Sequence, residues 1–200
     1  MRVALTWDAG RNQTTSVLDQ VDRCLSLGSI TPRELGGIAV AIGPGKFTSL
    51  RVGVSLAKGL ALGLDLPIIG VPSLEVAVRP WLGLGRNVVG VVSVGRGRVV
   101  WQRFHASGDA LTEAVNGSIE ALEAEIRPQP DVVVAGEIPD DLVTRLAELG
   151  VTVRAEDLGR RDPLLLASIG SDRIDRLGPD PLVSLQPLYI HSRPVPVPGA

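Results

Sequence analysis

The sequence predicts an α/β fold in two lobes. Short apolar runs alternate with helix-periodic stretches between residues 12 and 78 and again between 118 and 177. The alternation breaks once, around Pro80-Trp81-Leu82-Gly83-Leu84-Gly85, which marks a lobe boundary. A hairpin signature then opens the second half, with Gly95-Arg96-Gly97-Arg98 between two β-rich runs. Strands that alternate with helices pair in parallel through helical crossovers.

In chain order, Val17, Leu18, Val21 and Leu25 have the spacing of an amphipathic helix over residues 12–27. Thr31-Pro32-Arg33-Glu34 is a helical turn in which Thr31 is the N-cap, Pro32 the first position and Glu34 the far side of a capping box. Ile38 to Ile42 is a buried strand that ends at Gly43-Pro44-Gly45. A long helix follows from Phe47 to Leu64, then a strand over Pro67 to Val71 and a helix from Ser73 to Val78. In the second lobe, Val88 to Val94 and Val99 to Phe104 form the hairpin. Helices are predicted over 118–126, 140–149 and 163–177, with strands over 131–135 and 151–154. The expected division is 1–79, 80–185 and a terminal 186–200, of which 193–200, with Pro194, Pro196 and Pro198, reads as an extended tail.

Composition excludes several classes. At 44% apolar and 21% charged, the 200 residues suit a packed core and not a disordered or fibrous chain. Uncharged stretches such as Gly59 to Leu64 and Leu66 to Leu74 fall short of the roughly 18 consecutive apolar residues of a membrane span. The apolar run after Met1-Arg2 is too short for a secretory leader, so a cytoplasmic protein is expected. One cysteine, Cys24, permits neither an internal disulfide nor a cysteine-based zinc site. Net charge is −2 and the 20 basic residues are scattered, which argues against tight nucleic-acid binding by the chain alone.

The stretch from Ala39 to Ala61, containing Gly43-Pro44-Gly45-Lys46-Phe47-Thr48-Ser49-Leu50-Arg51 and Ala57-Lys58-Gly59-Leu60-Ala61, resembles the signature of the TsaB (YeaZ, glycoprotease-like or Gcp-like) family, usually written GPGSFTGLRIGxxxAKGLA. The match continues through Pro67-Ile68-Ile69-Gly70-Val71-Pro72-Ser73-Leu74 and resurfaces at Gln186-Pro187-Leu188-Tyr189-Ile190, like the family's terminal P-x-Y-L-R. Lys46 and Ser49 stand where the family usually has Ser and Gly. Relatives begin with a strand bearing Asp-Thr-Ser and a second strand, and that hairpin is absent before Leu5-Thr6-Trp7. The expectation is therefore a first lobe short of its opening strands, or an internal methionine at position 1.

The resemblance implies an actin/sugar-kinase-like (ASKHA, ribonuclease H-like) fold and a non-catalytic scaffold role, that of a pseudoenzyme. Such a subunit supports threonylcarbamoyl transfer to the adenosine beside the anticodon of tRNAs reading ANN codons. A TsaD-like subunit would supply the chemistry, with a TsaE-like ATPase in the same machinery. Alone, the chain would form a homodimer, touching tRNA only through the complex, with no membrane and no cofactor. A degenerate sugar-kinase-like phosphotransferase and a homodimeric relic are the alternatives.

The candidate chemistry is sparse. Gly45-Lys46 suggests a phosphate-binding P-loop, but that motif needs Gly at 40 and Ser or Thr at 47, where this chain has Val40 and Phe47. Where family members often carry Asp-Ala-Arg in the second hairpin, this chain has Ser93, so the carboxylate that could hold a metal ion is missing. The catalytic TsaD resembles the same region but carries two metal-binding histidines four apart on a helix, at the positions of Ser73 and Ala77. His105 and His191 are far apart in sequence and read as surface or hydrogen-bonded residues. No catalytic, cofactor or metal residue is expected.

The helix over 47–64 has a narrow polar stripe of Thr48, Arg51, Ser55 and Lys58 and is apolar around most of its circumference. Such a helix must bury a second face, and Gly53, Ala57 and Ala61 permit close approach of another helix. An internal core helix is one reading. The other, which the family resemblance favours, is a partner interface of Val17, Leu18, Val21, Leu25, Leu50, Val54, Ala57, Lys58 and Ala61. The motif loop contributes Gly43, Pro44, Gly45, Phe47, Thr48 and Arg51.

Overall fold

A computed structural model describes residues 3–7, 13–127, 131–155 and 162–191. The chain divides into two units, and the helices and strands follow the predicted order with one addition.

The first unit holds α1 (Gln13–Gly28), β1 (Ile38–Gly43), α2 (Phe47–Leu64), β2 (Ile68–Pro72) and α6 (Pro163–Leu177). Between α1 and β1, a 3-10 turn over Pro32–Glu34 carries the predicted capping box, with Thr31 N–H donating to Glu34 Oε2 at 2.8 Å. β1 and β2 pair in parallel from Ile38↔Ile68 to Ala41↔Val71, as a strand–helix–strand crossover requires. Among the described residues this sheet has two strands.

Side-chain alternation gives that sheet two covered faces. Ile38, Val40, Ile42 and Ile68 pack with Ala57 and Ala61 of α2 and with Leu182 and Leu185 from the segment after α6. Ala39 and Ile69 face α6 at Gly170, where a Cβ would collide with that of Ala39 and lie 3.1 Å from Ile69 Cγ2. The outer edge of β2 is closed by α6 and the segment after it. Asp180 Oδ2 accepts from Gly70 N–H at 2.8 Å, Arg173 donates to Gly70 O at 3.1 Å, and Asp180 N–H donates to Ile68 O at 2.8 Å. These bonds stand in for a neighbouring strand and leave the backbone groups of Gly70 paired.

The second unit holds α3 (Ser73–Val78), β3 (Val88–Gly95), β4 (Arg98–Phe104), β5 (Val115–Ser118), α4 (Ile119–Ile126), β6 (Val133–Gly136), α5 (Asp140–Glu148) and β7 (Thr152–Ala155). Its sheet runs β5-β4-β3-β6-β7, antiparallel through the hairpin and parallel from β3 to β7. Val89, Val91, Val99 and Trp101 face α4 and α5, meeting Leu122, Ile126, Leu142 and Leu146. Val88, Val92, Val100 and Phe104 face the other way, toward Leu74 and Val78 of α3. Burial on both faces explains why the strands read as unbroken apolar runs.

The boundaries differ from the expected 1–79, 80–185 and 186–200. Among the described residues, the first unit runs to Gly43, resumes over Phe47–Pro72 and takes in Asp162–Pro187. The second takes Pro44–Lys46, Ser73 to 155, and Leu188 to His191. The reasons are two close contacts made through glycine. Gly90 lets α3 sit on β3, since a Cβ there would be 2.7 Å from Val78 Cγ1, and Gly170 lets α6 return to β1. The expected tail over 193–200 lies outside the described residues.

By length and composition alone, α2 is apolar enough to cross a membrane. In the structure it is a layer of the first unit. Leu50, Val54, Ala57 and Ala61 are buried there, and Lys58 Nζ donates to Leu185 O at 3.0 Å.

Candidate partner surface and ligand positions

α2 begins where β1 ends in Gly43, whose φ of 112° only glycine adopts without strain. Gly43 and Pro44 are buried and Gly45 half-buried, while Phe47, Thr48 and Arg51 are exposed. The Arg51 guanidinium lies 3.8 Å from the centre of the Phe47 ring, a cation–π pair across one helical turn. The predicted motif loop is therefore a buried turn leading into an exposed first helical turn.

The predicted interface residues fall into two groups. Leu50, Val54, Ala57 and Ala61 are 6%, 3%, 7% and 3% exposed within the single chain, so they form its own core and offer no surface to a partner. One stripe of α2 is covered within the chain, with Ala57 and Ala61 packed on the sheet and on Leu182 and Leu185 and with α1 alongside, which the helical pattern alone does not reveal. Lys58 is half-buried and committed to Leu185. The residues of α1 remain accessible: Leu18 is 50% exposed, and Val17, Val21 and Leu25 are half-buried.

On α2 the open face was not singled out by the sequence. Leu62 is 72% exposed, Gly59 and Gly63 are exposed with no atom within 4 Å of where a Cβ would stand, and Val52, Leu56 and Leu60 are half-buried. With Leu18 and Leu27 of the neighbouring α1, Leu62 adds to the large apolar side chains left in water on this helix pair.

In the second unit, the turn at Gly95-Arg96-Gly97 takes positive φ at all three residues, as a tight hairpin demands. Ser93 N–H donates to Glu137 Oε2 at 3.2 Å, one step beyond the bond from Glu137 N–H to Val91 O at 2.9 Å. The β3–β6 ladder is thus continued by a side chain after β6 turns away at Gly136, whose φ is 114°. Sequence reading missed Glu137, which follows the strand end without any pattern.

Ser73 and Ala77, which the resemblance to TsaD singled out in the sequence, are 0% and 1% exposed. A methyl group at Gly136 would lie 3.1 Å from the Ala77 Cβ and collide with Val91 O, so Ala77 is seated on the end of β6. These positions do not fit a metal site. Among the described residues, no group of three His, Cys, Asp or Glu side chains is placed to hold an ion.

His105, Ser107 and Asp109 share a turn after β4, a trio that composition alone makes suggestive of hydrolase chemistry. The geometry is that of a turn: Ser107 Oγ donates to Asp109 Oδ2 at 2.7 Å, and the Ser107 N–H donates to His105 Nδ1 at 3.2 Å. Ser107 Oγ also lies 2.8 Å from His105 Nδ1, but Asp109 takes the hydroxyl rather than the imidazole, and among the described residues no carboxylate is bonded to the ring, so the trio lacks the orienter of a relay. His191 is exposed.

Comparison with known proteins agrees with this anatomy. The family model described as "TsaD: tRNA N6-adenosine threonylcarbamoyltransferase" matches residues 7–137. The "tRNA threonylcarbamoyladenosine biosynthesis protein TsaB" of Escherichia coli (strain K12) is 29% identical over 163 residues, covering 78% of this chain and 65% of that protein. Its namesake in Bacillus subtilis (strain 168) is 39% identical over 109 residues, covering 52% of this chain and 46% of the relative. A "tRNA N6-adenosine threonylcarbamoyltransferase" of Nitratidesulfovibrio vulgaris (strain DP4) is 46% identical over 68 residues, 34% of this chain and 19% of that enzyme. The chain thus spans less than two thirds of these curated relatives' length. A crystal structure of an uncharacterised Pseudomonas aeruginosa protein with similarity to peptidase YEAZ superposes with a TM-score of 0.70 at 20% identity, covering 88% of this chain and 83% of that one. YeaZ from Pseudomonas aeruginosa gives 0.67 at 19% identity, covering 88% and 84%. The fold is accordingly of the actin/sugar-kinase-like class. Because the TsaD family model spans well over half of the sequence, the chain belongs to the family it describes, and within it the chain is similar to TsaB proteins.

Proposed function

We propose that the chain is a non-catalytic partner subunit for threonylcarbamoyl transfer to the adenosine next to the anticodon of ANN-decoding tRNAs. A TsaD-like subunit carries out the transfer, a TsaE-like ATPase serves the same assembly, and tRNA is met only through the complex. Alone, the chain pairs with a second copy, in the cytoplasm and without a cofactor. The observation that supports this reading is the α1–α2 pair, which leaves Leu18 of α1 and Leu62 of α2 in water, Leu62 standing next to Gly63 and one turn from Gly59 on its own helix. Small residues let a second helix approach closely, and the exposed leucines gain about 1.5–3 kcal/mol each if covered.

The test uses two substitutions that the structure separates. Leu62→Glu changes an exposed position, so the fold is retained; in a complex it buries an unpaired carboxylate at several kcal/mol, weakening association by at least about a hundredfold. Val54→Asp changes a residue 3% exposed in the isolated chain and unfolds the first unit before any partner is added. Light scattering and co-purification with the TsaD-like subunit read both. A folded Leu62→Glu protein that still assembles, alone and with that subunit, removes this surface from the interface. Saturable heat on titration with magnesium ATP at micromolar concentration would instead favour a degenerate phosphotransferase.

A further inference from the structure

We propose that Asp65, at the C-terminal end of α2, is a specificity residue of the α1–α2 surface, met in the assembly by a lysine or arginine side chain of the TsaD-like subunit. The inference rests on the partner reading above and adds the chemistry of what covers one end of that surface.

The end of α2 runs against the ordinary chemistry of a helix terminus. Leu66 N–H donates to Ala61 O at 2.9 Å, closing the helix with Asp65 in the left-handed region at a φ of 53°. Glycine holds that conformation without a Cβ penalty, and the chain uses it where α5 and α6 stop, at Gly150 with φ 76° and Gly178 with φ 80°. Those two helices also carry a basic residue in the last turn, Arg145 and Arg176, which offsets the negative pole of the helix dipole. α2 has no basic residue in its last turn, and Asp65 adds a full negative charge at the same pole.

Nothing nearby balances that charge. Asp65 is exposed, and among the described residues its carboxylate makes no hydrogen bond or ion pair. The two cations of α2 are committed elsewhere, Lys58 to Leu185 O and Arg51 to the Phe47 ring in the first turn. The uncompensated site stands three residues past Leu62, which is 72% exposed, and two past the exposed Gly63. A surface that covers Leu62 therefore brings its rim to Asp65. A cationic side chain there gains both the carboxylate and the helix pole, whereas an acidic one is rejected.

The experiment titrates the full chain against the TsaD-like subunit at about 50 mM and about 1 M salt. Asp65→Asn keeps the shape, suits a left-handed turn and removes the charge; it should melt about 1–3 °C above the parent and bind about 2–5-fold more weakly at low salt. Asp65→Lys reverses the charge and should lose at least about tenfold at low salt, with most of the loss gone at high salt, where screening cuts the reach of a charge to about 3 Å. Leu62→Glu is measured beside them. If Asp65→Lys binds as tightly as the parent while Leu62→Glu is impaired, this inference is overturned and the partner surface stands. Full binding by all three variants removes the surface, and the inference with it. A loss for Asp65→Lys that is equal at both salt concentrations, or that appears only when the chain pairs with itself, also overturns it. So does an Asp65→Asn protein that melts below the parent, because the carboxylate would then stabilise the isolated chain.

Discussion

Adding one methyl group at Gly170 tests the contact that holds α6 on the first sheet. In a helix interior, Gly→Ala ordinarily stabilises by about 0.8–1 kcal/mol, because the unfolded chain has less freedom to lose. At Gly170 the new Cβ would collide with that of Ala39, lie 3.1 Å from Ile69 Cγ2 and 3.5 Å from Ala39 Cα. The obstacle is a strand and not the tip of a flexible side chain, so the upper part of the roughly 1–3 kcal/mol range for overpacking applies. Sterics win by about 1–2 kcal/mol. For a chain of this size that lowers the melting temperature by about 2–8 °C. Gly53→Ala in α2 is the matched control, since nothing lies within 4 Å of where its Cβ would stand, and it should raise the melting temperature by about 2–4 °C. Ala39→Gly completes the cycle. Alone it costs about 1 kcal/mol in lost burial and strand glycine entropy, yet combined with Gly170→Ala it restores stability, because the new methyl occupies the space of the old. Urea and thermal unfolding of the set measure the coupling. The reasoning fails if Gly170→Ala stabilises as Gly53→Ala does, or if Ala39→Gly adds its full cost to the double variant.

Two further outcomes follow from hydrogen bonds at element ends. Asp180→Ala leaves the Gly70 N–H without its carboxylate and should cost about 1–3 kcal/mol in urea unfolding, whereas Asp180→Asn keeps an acceptor and recovers most of it; equal stability of both variants and the parent would exclude an edge-closing role. In α4, a hydrogen bond from its own backbone amide, a second from Ser118 and the charge of Arg145 hold the Glu120 carboxyl below its ordinary value despite partial desolvation. A lowered folded value means a contribution complete above the unfolded carboxylate range, about pH 4, and lost as pH falls through the folded value. Glu120→Gln should therefore melt below the parent at pH 7 and together with it near pH 2, and an equal gap at both pH values would contradict this sign.

Much of the fold was legible because it is written in local chemistry. The bounds of α2 follow from Gly43-Pro44-Gly45 before it, and those of α6 from the Asp162 cap, Pro163 and Gly178, whose φ of 80° ends the helix. β5 was missed because Val115-Asn116-Gly117-Ser118 has no alternating apolar pattern. Its place is set by β4 and by Asn116, which accepts from Arg98 Nε and donates to Ile190 O, partners distant in sequence. The same limit applies to the surface. An apolar circumference says that α2 is covered, but not whether α1, the sheet and Leu185 do the covering or a second chain does, and here the chain itself covers Val54 and Ala57. Arg173 and Asp180, which close β2, are separated from Gly70 by more than a hundred residues and carry no motif.

Sites that bind or react commonly hold polar groups apart and keep space open, which lowers stability. The second unit has the opposite arrangement at Ala77 and Ser93. Ala77 fills its space against Gly136, and the amide of Ser93 is given to Glu137. Each contact now contributes to the fold, so a single substitution toward ligand binding has to break packing or a strand rung before it gains anything. On the α1–α2 pair the balance is reversed: Leu62 and Leu18 lie in water, where they contribute little to the isolated chain, and Gly59 forgoes the helix propensity that alanine would supply. Residues that cost the monomer stability, or do nothing for it, have a use once a second surface covers them. Under that reading the effect of Leu62→Glu scales with partner concentration and that of Val54→Asp does not, which separates a surface kept for association from a core that merely happens to be helical.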